Sequence, residues 1–203
     1  MNHTIETRSD LLQAAQALFS QRGFDGTSIR AITRKARANL GAVTYHFGSK
    51  EALYEAVVDG LANPLREAVA QAAQTPGAPL DRIDAVVHAF FAYLRDHPEL
   101  PRLMIQQLAS ERPMPVSAQR ALQANHGAIA ALIAEGQRDG TIRGGDARLM
   151  VLSIVPPIML LTLLQAPLRD AIAIDQRDPA TWERVVDSVV TFARAGLRPD
   201  EVT

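Results

Sequence analysis

The chain has 203 residues, 47% of them hydrophobic and 5% aromatic, with no cysteine and a formal net charge of −1 at pH 7. That length allows one sizeable core or two small ones. The lack of cysteine excludes a disulfide framework, a thiolate metal site and a cysteine nucleophile, and the balanced charge argues against a general nucleic-acid coat. The balance hides an asymmetry: residues 1–50 carry seven basic and three acidic groups, net +4, and the remainder 14 basic and 19 acidic, net −5. An electrostatic footprint for DNA is therefore expected at the amino-terminal end. No signal peptide is expected, since Ile5 is followed by Glu6, Arg8 and Asp10 rather than by an apolar run; we expect a cytoplasmic protein.

In chain order, Thr7 with Asp10 three residues on reads as a capping box that opens a helix running to about Arg22, with Leu11, Leu12, Ala15, Leu18 and Phe19 as its apolar stripe and Gly23 as its stop. Residues 27–50 predict two short helices around a tight turn. In the first, Ile29, Ile32 and Ala36 share a face while Arg30, Arg34, Lys35 and Arg37 lie elsewhere, and Thr27 or Ser28 caps the start. The second spans Leu40 to Phe47, with Leu40, Val43 and Phe47 on one face and Gly41, Ala42, Thr44, Tyr45 and His46 around it. Two short helices crossing over a 3–4-residue turn form a helix-turn-helix, whose second helix enters the major groove of DNA. Ser49 caps a third helix with Lys50 in its first turn, where a phosphate oxygen meets backbone N–H groups and an ammonium.

This stretch resembles the TetR family of bacterial transcriptional regulators. The resemblance is carried by Phe19, Gly23 and Phe24, by Thr27-Ser28-Ile29-Arg30-Ala31-Ile32, by Ala36, Gly41 and Tyr45-His46-Phe47, and by Ser49-Lys50-Glu51-Ala52-Leu53. It implies an all-α fold, with a three-helix DNA-binding domain (1–48) followed by a larger helical domain (49–203) for dimerisation and ligand binding, and repression relieved by a small molecule. The chain departs from the family pattern at Arg37, where a glycine usually occupies the turn, and at Thr44, where a phosphate-contacting tyrosine is common. If Arg37 adopts a left-handed conformation there, the cost is about 1–2 kcal/mol; the alternative is a turn that uses Asn39 or a different geometry.

Beyond residue 49 a long helix is expected to about Ala73, with Asn63-Pro64 as a kink. The loop Thr75-Pro76-Gly77-Ala78-Pro79 follows, then a helix from Leu80 to about Asp96, a shorter one from Glu99 to Ser110, and a long one from Ser117 to Arg138. Leu149 to Leu164 is almost unbroken in hydrophobicity. It falls short of the ~20 residues of a membrane span and contains Pro156-Pro157, so a helix buried within the protein or between subunits is expected. The last helix, Thr181 to Leu197, has apolar residues at 3–4 spacing. Leu149, Leu152, Leu160, Trp182, Val186 and Val190 on these two helices are the expected interface of a homodimeric four-helix bundle.

Chemistry is scarce. The five histidines have no metal-ligand spacing, and no GxSxG, P-loop or GxGxxG is present, so neither an enzyme nor a bound metal or cofactor is expected. A small-molecule pocket is expected among Phe90, Phe91, Leu94, Met104, Gln107, His126 and Met159, which are bulky or polarisable residues on the middle helices. Arg30, Asn39, Ala42, Tyr45 and His46 are expected at bases or groove edges, and Thr27, Thr44 and Lys50 at phosphates. The expected partners are double-stranded operator DNA, a small-molecule effector and a second copy of the chain, with no membrane. The alternative is a helical small-molecule-binding protein or enzyme that does not bind DNA.

Overall fold

A computed structural model describes residues 2–199, with side chains from Thr7 onward. Among the described residues there are ten helices and no strand: α1 Asn2–Arg22, α2 Ile29–Lys35, α3 Ala42–Phe47, α4 Lys50–Ala72, α5 Pro79–Asp96, α6 Glu99–Ala109, α7 Val116–Asp139, α8 Ala147–Leu163, α9 Gln165–Ile172 and α10 Pro179–Leu197. They pack as two compact units. The first holds the chain up to Asn63 together with Glu99–Arg120, and the second holds Pro64–Pro98 together with the chain from Ala121.

In the first unit α1 packs on α2, α3 and α6. Leu11, Ala15, Leu18 and Phe19, one stripe at helical spacing, are all buried. The Phe19 ring stacks on Phe24 at 5.8 Å and meets Tyr54 edge-on at 5.0 Å. α1 ends at Gly23, whose φ of 71° suits a residue without Cβ. Its start differs from expectation, because the helix begins at Asn2 and Thr7 lies inside it rather than capping it. A capping box marks a start only where the preceding chain cannot be helical, and residues 2–6 contain neither glycine nor proline. α4 runs unbroken through Pro64, which denies the Gly60 carbonyl its helical donor, and the boundary between the units falls at this proline. Far along the chain, the Glu55 carboxylate accepts the Val116 and Ser117 N–H groups at 3.1 and 2.6 Å, satisfying two orphan donors at the start of α7.

In the second unit α5 packs on α8 and α10, and α8 packs on α10. Ile83, Val86, Val87, Phe90, Phe91 and Leu94 of α5 are buried with Ile154 and Ile158 of α8 and Trp182 and Val186 of α10. Phe91 meets the Trp182 ring at a right angle, 5.6 Å between centroids, and the Arg95 guanidinium lies 5.5 Å from the same ring. α8 accommodates Pro156 and Pro157 without a break. α9, a helix with no buried residue, was not foreseen. α8 and α9 meet at a 73° bend, and no single described helix is long and apolar enough to cross a membrane.

Arg194 of α10 donates to both Asp84 and Asp81 of α5. Asp84 is the more buried of the two carboxylates, with its side chain 18% exposed, and its Oδ1 finds no donor among the described residues. Burial pushes its carboxyl pKa above the ordinary value, and the bond from Arg194 pulls it back. Arg194→Met removes that restraint and should destabilise the protein by about 2 kcal/mol at neutral pH, less than a fully buried pair would lose because Arg194 is partly solvated. An acid whose folded pKa lies above its unfolded one binds more protons when folded. The penalty is therefore absent below the unfolded carboxyl pKa and grows as pH rises through the folded one. Urea midpoints of the variant and parent at pH 4 and pH 7 check this; equal losses at both would contradict it.

Candidate nucleic-acid interface

The helix-turn-helix is built from its caps inward. Ser28 begins α2, its Oγ accepting from the Ala31 N–H at 3.2 Å. Ile32 and Thr33 are buried beneath it. α2 ends in a Schellman turn: the Ala38 N–H reaches the Thr33 carbonyl at 2.9 Å and the Arg37 N–H reaches that of Arg34 at 3.3 Å. This geometry needs a left-handed residue, and Arg37 supplies it with φ 53°. α3 opens at Ala42 rather than Leu40, and Leu40 is 53% exposed instead of sharing the apolar face with Val43. A six-residue helix has one inward face, and here Ala42 and Val43 fill it.

Arg30, Asn39, Thr44 and Tyr45 are exposed, and His46 and Lys50 are half-exposed. Tyr45 is 79% exposed, its ring edge-on to His46 at 4.9 Å. A ring so exposed leaves both its face and its hydroxyl open to a partner outside the protomer. Ser49 caps α4 by accepting from the Ala52 N–H at 3.1 Å. The Lys50 ammonium rests 4.1 Å from the centroid of the Phe24 ring, and burial lowers its pKa from the ordinary value, with Asp25 opposing that shift.

Two expected contacts lose their basis. Thr27 is 1% exposed, its hydroxyl donates to the Leu18 and Gly23 carbonyls, and its N–H donates to Phe24, so nothing remains for a phosphate. Ala42 is 6% exposed and faces the core, leaving Gly41 as the small residue at the surface. The expected effector lining is also dispersed. Phe90, Phe91 and Leu94 are core of the second unit, where Met159 is half-exposed and the His126 Nε2–H lies 2.9 Å from the Arg148 carbonyl. Met104 and Gln107 belong to the first unit. There Gln107 borders a cleft of about 430 Å³ together with Gly23, Phe24, Tyr54 and Gln106.

Sequence reasoning also overlooked the surroundings of Phe24. The Arg112 guanidinium sits 3.8 Å from the Phe24 centroid and 3.6 Å from the Asp25 carboxylate, bringing the α6–α7 loop onto the segment that leads into α2. Nothing local in the sequence signals a contact across so many residues. Arg34, Lys35 and Arg37 are exposed as well, and no described residue forms an ion pair or hydrogen bond with their side chains.

Fold and surface together define a helix-turn-helix protein with a helical body. Residues 11–57 match the family of bacterial regulatory proteins named tetR. Over 93% of this chain and 89% of the relative, 26% of residues are identical to the HTH-type transcriptional regulator RutR of Escherichia coli. The HTH-type transcriptional repressor NicS of Pseudomonas putida is 31% identical over 48% of this chain and 46% of its own length, and the probable regulator YttP of Bacillus subtilis is 26% identical over 51% of each. The chain thus spans about half the length of these last two relatives. Among solved structures, a tetR-family protein from Rhodococcus superposes with a TM-score of 0.80 at 19% identity, covering 96% of this chain and 98% of that one. The ketosteroid regulator KstR2 of Mycobacterium tuberculosis superposes with a TM-score of 0.73 at 21% identity, covering 95% of each. Residues 11–57 thus match the DNA-binding segment of the TetR family, and over most of its length the chain shares the fold of solved proteins of that family. The relatives named here are transcriptional regulators, in keeping with the expectation that the chain is not an enzyme.

Proposed function

We propose that the protein is a cytoplasmic, homodimeric transcriptional repressor that releases a palindromic operator when a small molecule binds its carboxy-terminal helices. In this reading residues 1–48, together with Lys50 at the start of α4, contact DNA, and the rest of 49–203 dimerises and receives the effector. The observation that carries it is α3. Ala42 and Val43 sink into the core, while Thr44, Tyr45 and part of His46 face outward on the helix that a helix-turn-helix places in the major groove. Tyr45 and His46 reach base edges with Arg30 and Asn39; Thr44 and Lys50 hold phosphates.

A paired reader needs its two α3 helices about 34–36 Å apart to meet half-sites one turn apart. An effector lowers operator affinity only by its preference for the arrangement that does not fit DNA, and a 100-fold release requires roughly 2.7 kcal/mol of coupling. α4 runs from Lys50 past Pro64 and is the natural lever.

Binding measured on duplexes of several sequences tests the contacts. Lys50→Ala should weaken binding to all of them and flatten the salt dependence by about one counterion, whereas Tyr45→Ala should also change the preference at particular base pairs. Wild-type binding by both variants would overturn the assignment.

A further inference from the structure

We propose that Arg37 is a phosphate ligand, kept in the turn between α2 and α3 in spite of the backbone strain it causes there. The inference rests on the DNA-binding reading and extends it to a residue outside the contact set above. With φ 53°, Arg37 occupies a conformation that glycine adopts freely and that crowds a Cβ against the following carbonyl. The fold asks only for that φ. The Schellman bonds use backbone groups alone, the Arg37 side chain is exposed, and no described residue pairs with it. Glycine would serve the turn better, so the fold gives no reason for the guanidinium.

The surroundings point to an anion. Arg34 and Lys35 close α2 immediately before Arg37, equally exposed and equally without an acidic partner among the described residues. A helix C-terminus carries about half a negative charge. Three full positive charges exceed what it can neutralise, and on α2 the last carbonyls already accept from Ala38 and Arg37. Asp25, the carboxylate preceding α2, is engaged by Arg112. A helix-turn-helix lays its first helix across the sugar–phosphate backbone and its second in the groove. The turn joining them therefore passes beside a strand, and a guanidinium fork there matches two phosphate oxygens.

The test compares wild type, Arg37→Gly and Arg37→Ala in thermal midpoint and in salt-dependent affinity for a duplex selected from random-sequence DNA by the wild-type protein. Arg37→Gly should raise the midpoint by about 2–4 °C as strain is relieved. The same change should weaken binding roughly three- to tenfold at 0.1 M salt and lower the slope of log K against log salt by about 0.9. Arg37→Ala keeps the left-handed Cβ and loses the charge, so it should show the affinity loss without the gain in midpoint. Unchanged affinity and slope in both variants, with Lys50→Ala weakened as described above, would overturn this inference alone. Failure of the wild-type protein to retain any duplex at 50 mM salt would overturn it together with the reading it rests on.

Discussion

Replacing Leu152 and Phe192 together by glutamate should yield a folded monomer whose affinity for the full operator falls at least about 100-fold. α8 carries two apolar stripes of the same period. Val151, Ile154, Ile158 and Thr162 are buried against the protomer's own core, whereas Leu149, Leu152 and Leu160 are 63%, 56% and 51% exposed. α10 repeats the pattern, with Trp182, Val186, Ala193 and Leu197 inside, Val185 and Val189 half-exposed, and Phe192 76% exposed. Leucine and phenylalanine side chains gain about 1.5–3 kcal/mol each when fully buried. On the homodimer reading proposed above, two adjacent helices with such a face form a half-bundle for a second copy to complete. A glutamate in each stripe would have to be buried without a partner, which association cannot offset. A monomer then meets one half-site at a time and loses the 10²–10⁴-fold advantage of bivalent attachment.

This corrects the expected interface. Trp182 and Val186 are 6% and 5% exposed within one protomer, so glutamate there would unfold the second unit rather than divide a dimer. Sedimentation velocity together with gel shifts on whole and half operators would show the change; a variant that still sediments as a dimer would place the interface elsewhere.

Gln107→Leu should destabilise the protein by about 3 kcal/mol, lowering the thermal midpoint by roughly 6–12 °C. Gln107 is 7% exposed. Its Oε1 accepts from the Tyr54 hydroxyl at 3.2 Å, and its Nε2 donates to the Arg112 and Pro113 carbonyls at 2.9 and 3.2 Å. Leucine keeps the volume and strands all three groups. Tyr54 is itself buried, and that burial raises its phenol pKa above the ordinary value, so its hydroxyl stays protonated and needs an acceptor. A double-mutant cycle separates the pair from the packing. Tyr54→Phe removes the stranded donor, so the double variant should lose clearly less than the sum of the two single losses. Strict additivity would show that the bond contributes nothing. The same loop is fixed by Arg112 on Phe24 and by Glu55 at the start of α7, so its loosening should reach the helix-turn-helix.

Local chemistry was readable and long-range pairing was not. Ser28 and Ser49 cap α2 and α4 as their positions ahead of apolar periodic runs imply, and Pro79 opens α5 within one residue of expectation. The turn left open whether Arg37 or Asn39 would take the unusual backbone conformation, and Arg37 takes it. Periodicity shows which residues share a helix face, but it does not show whether that face meets the protomer's core or a second chain. Trp182 and Phe192 belong to the same apolar helix, and only the packing of α5 against α10 decides which of them is covered. Gln107 does border the cleft beside Phe24, but a lone amide on an apolar helix gives no hint of its bond with Tyr54, 53 positions earlier. Ala42 and Thr27 were misplaced for a related reason: small and hydroxylated side chains suit a groove and a tight core equally well.

The central claim is a dimer that reads DNA with α3, and a footprint tests it most directly. Duplex fragments selected by the purified protein would be probed for major-groove protection while sedimentation reports how many chains each fragment carries. The account predicts two chains per fragment and two protected patches related by a two-fold axis, their centres a whole number of helical turns apart, with Tyr45→Ala altering the protected bases. A lone subunit in solution that leaves every duplex unprotected in dilute buffer would contradict it.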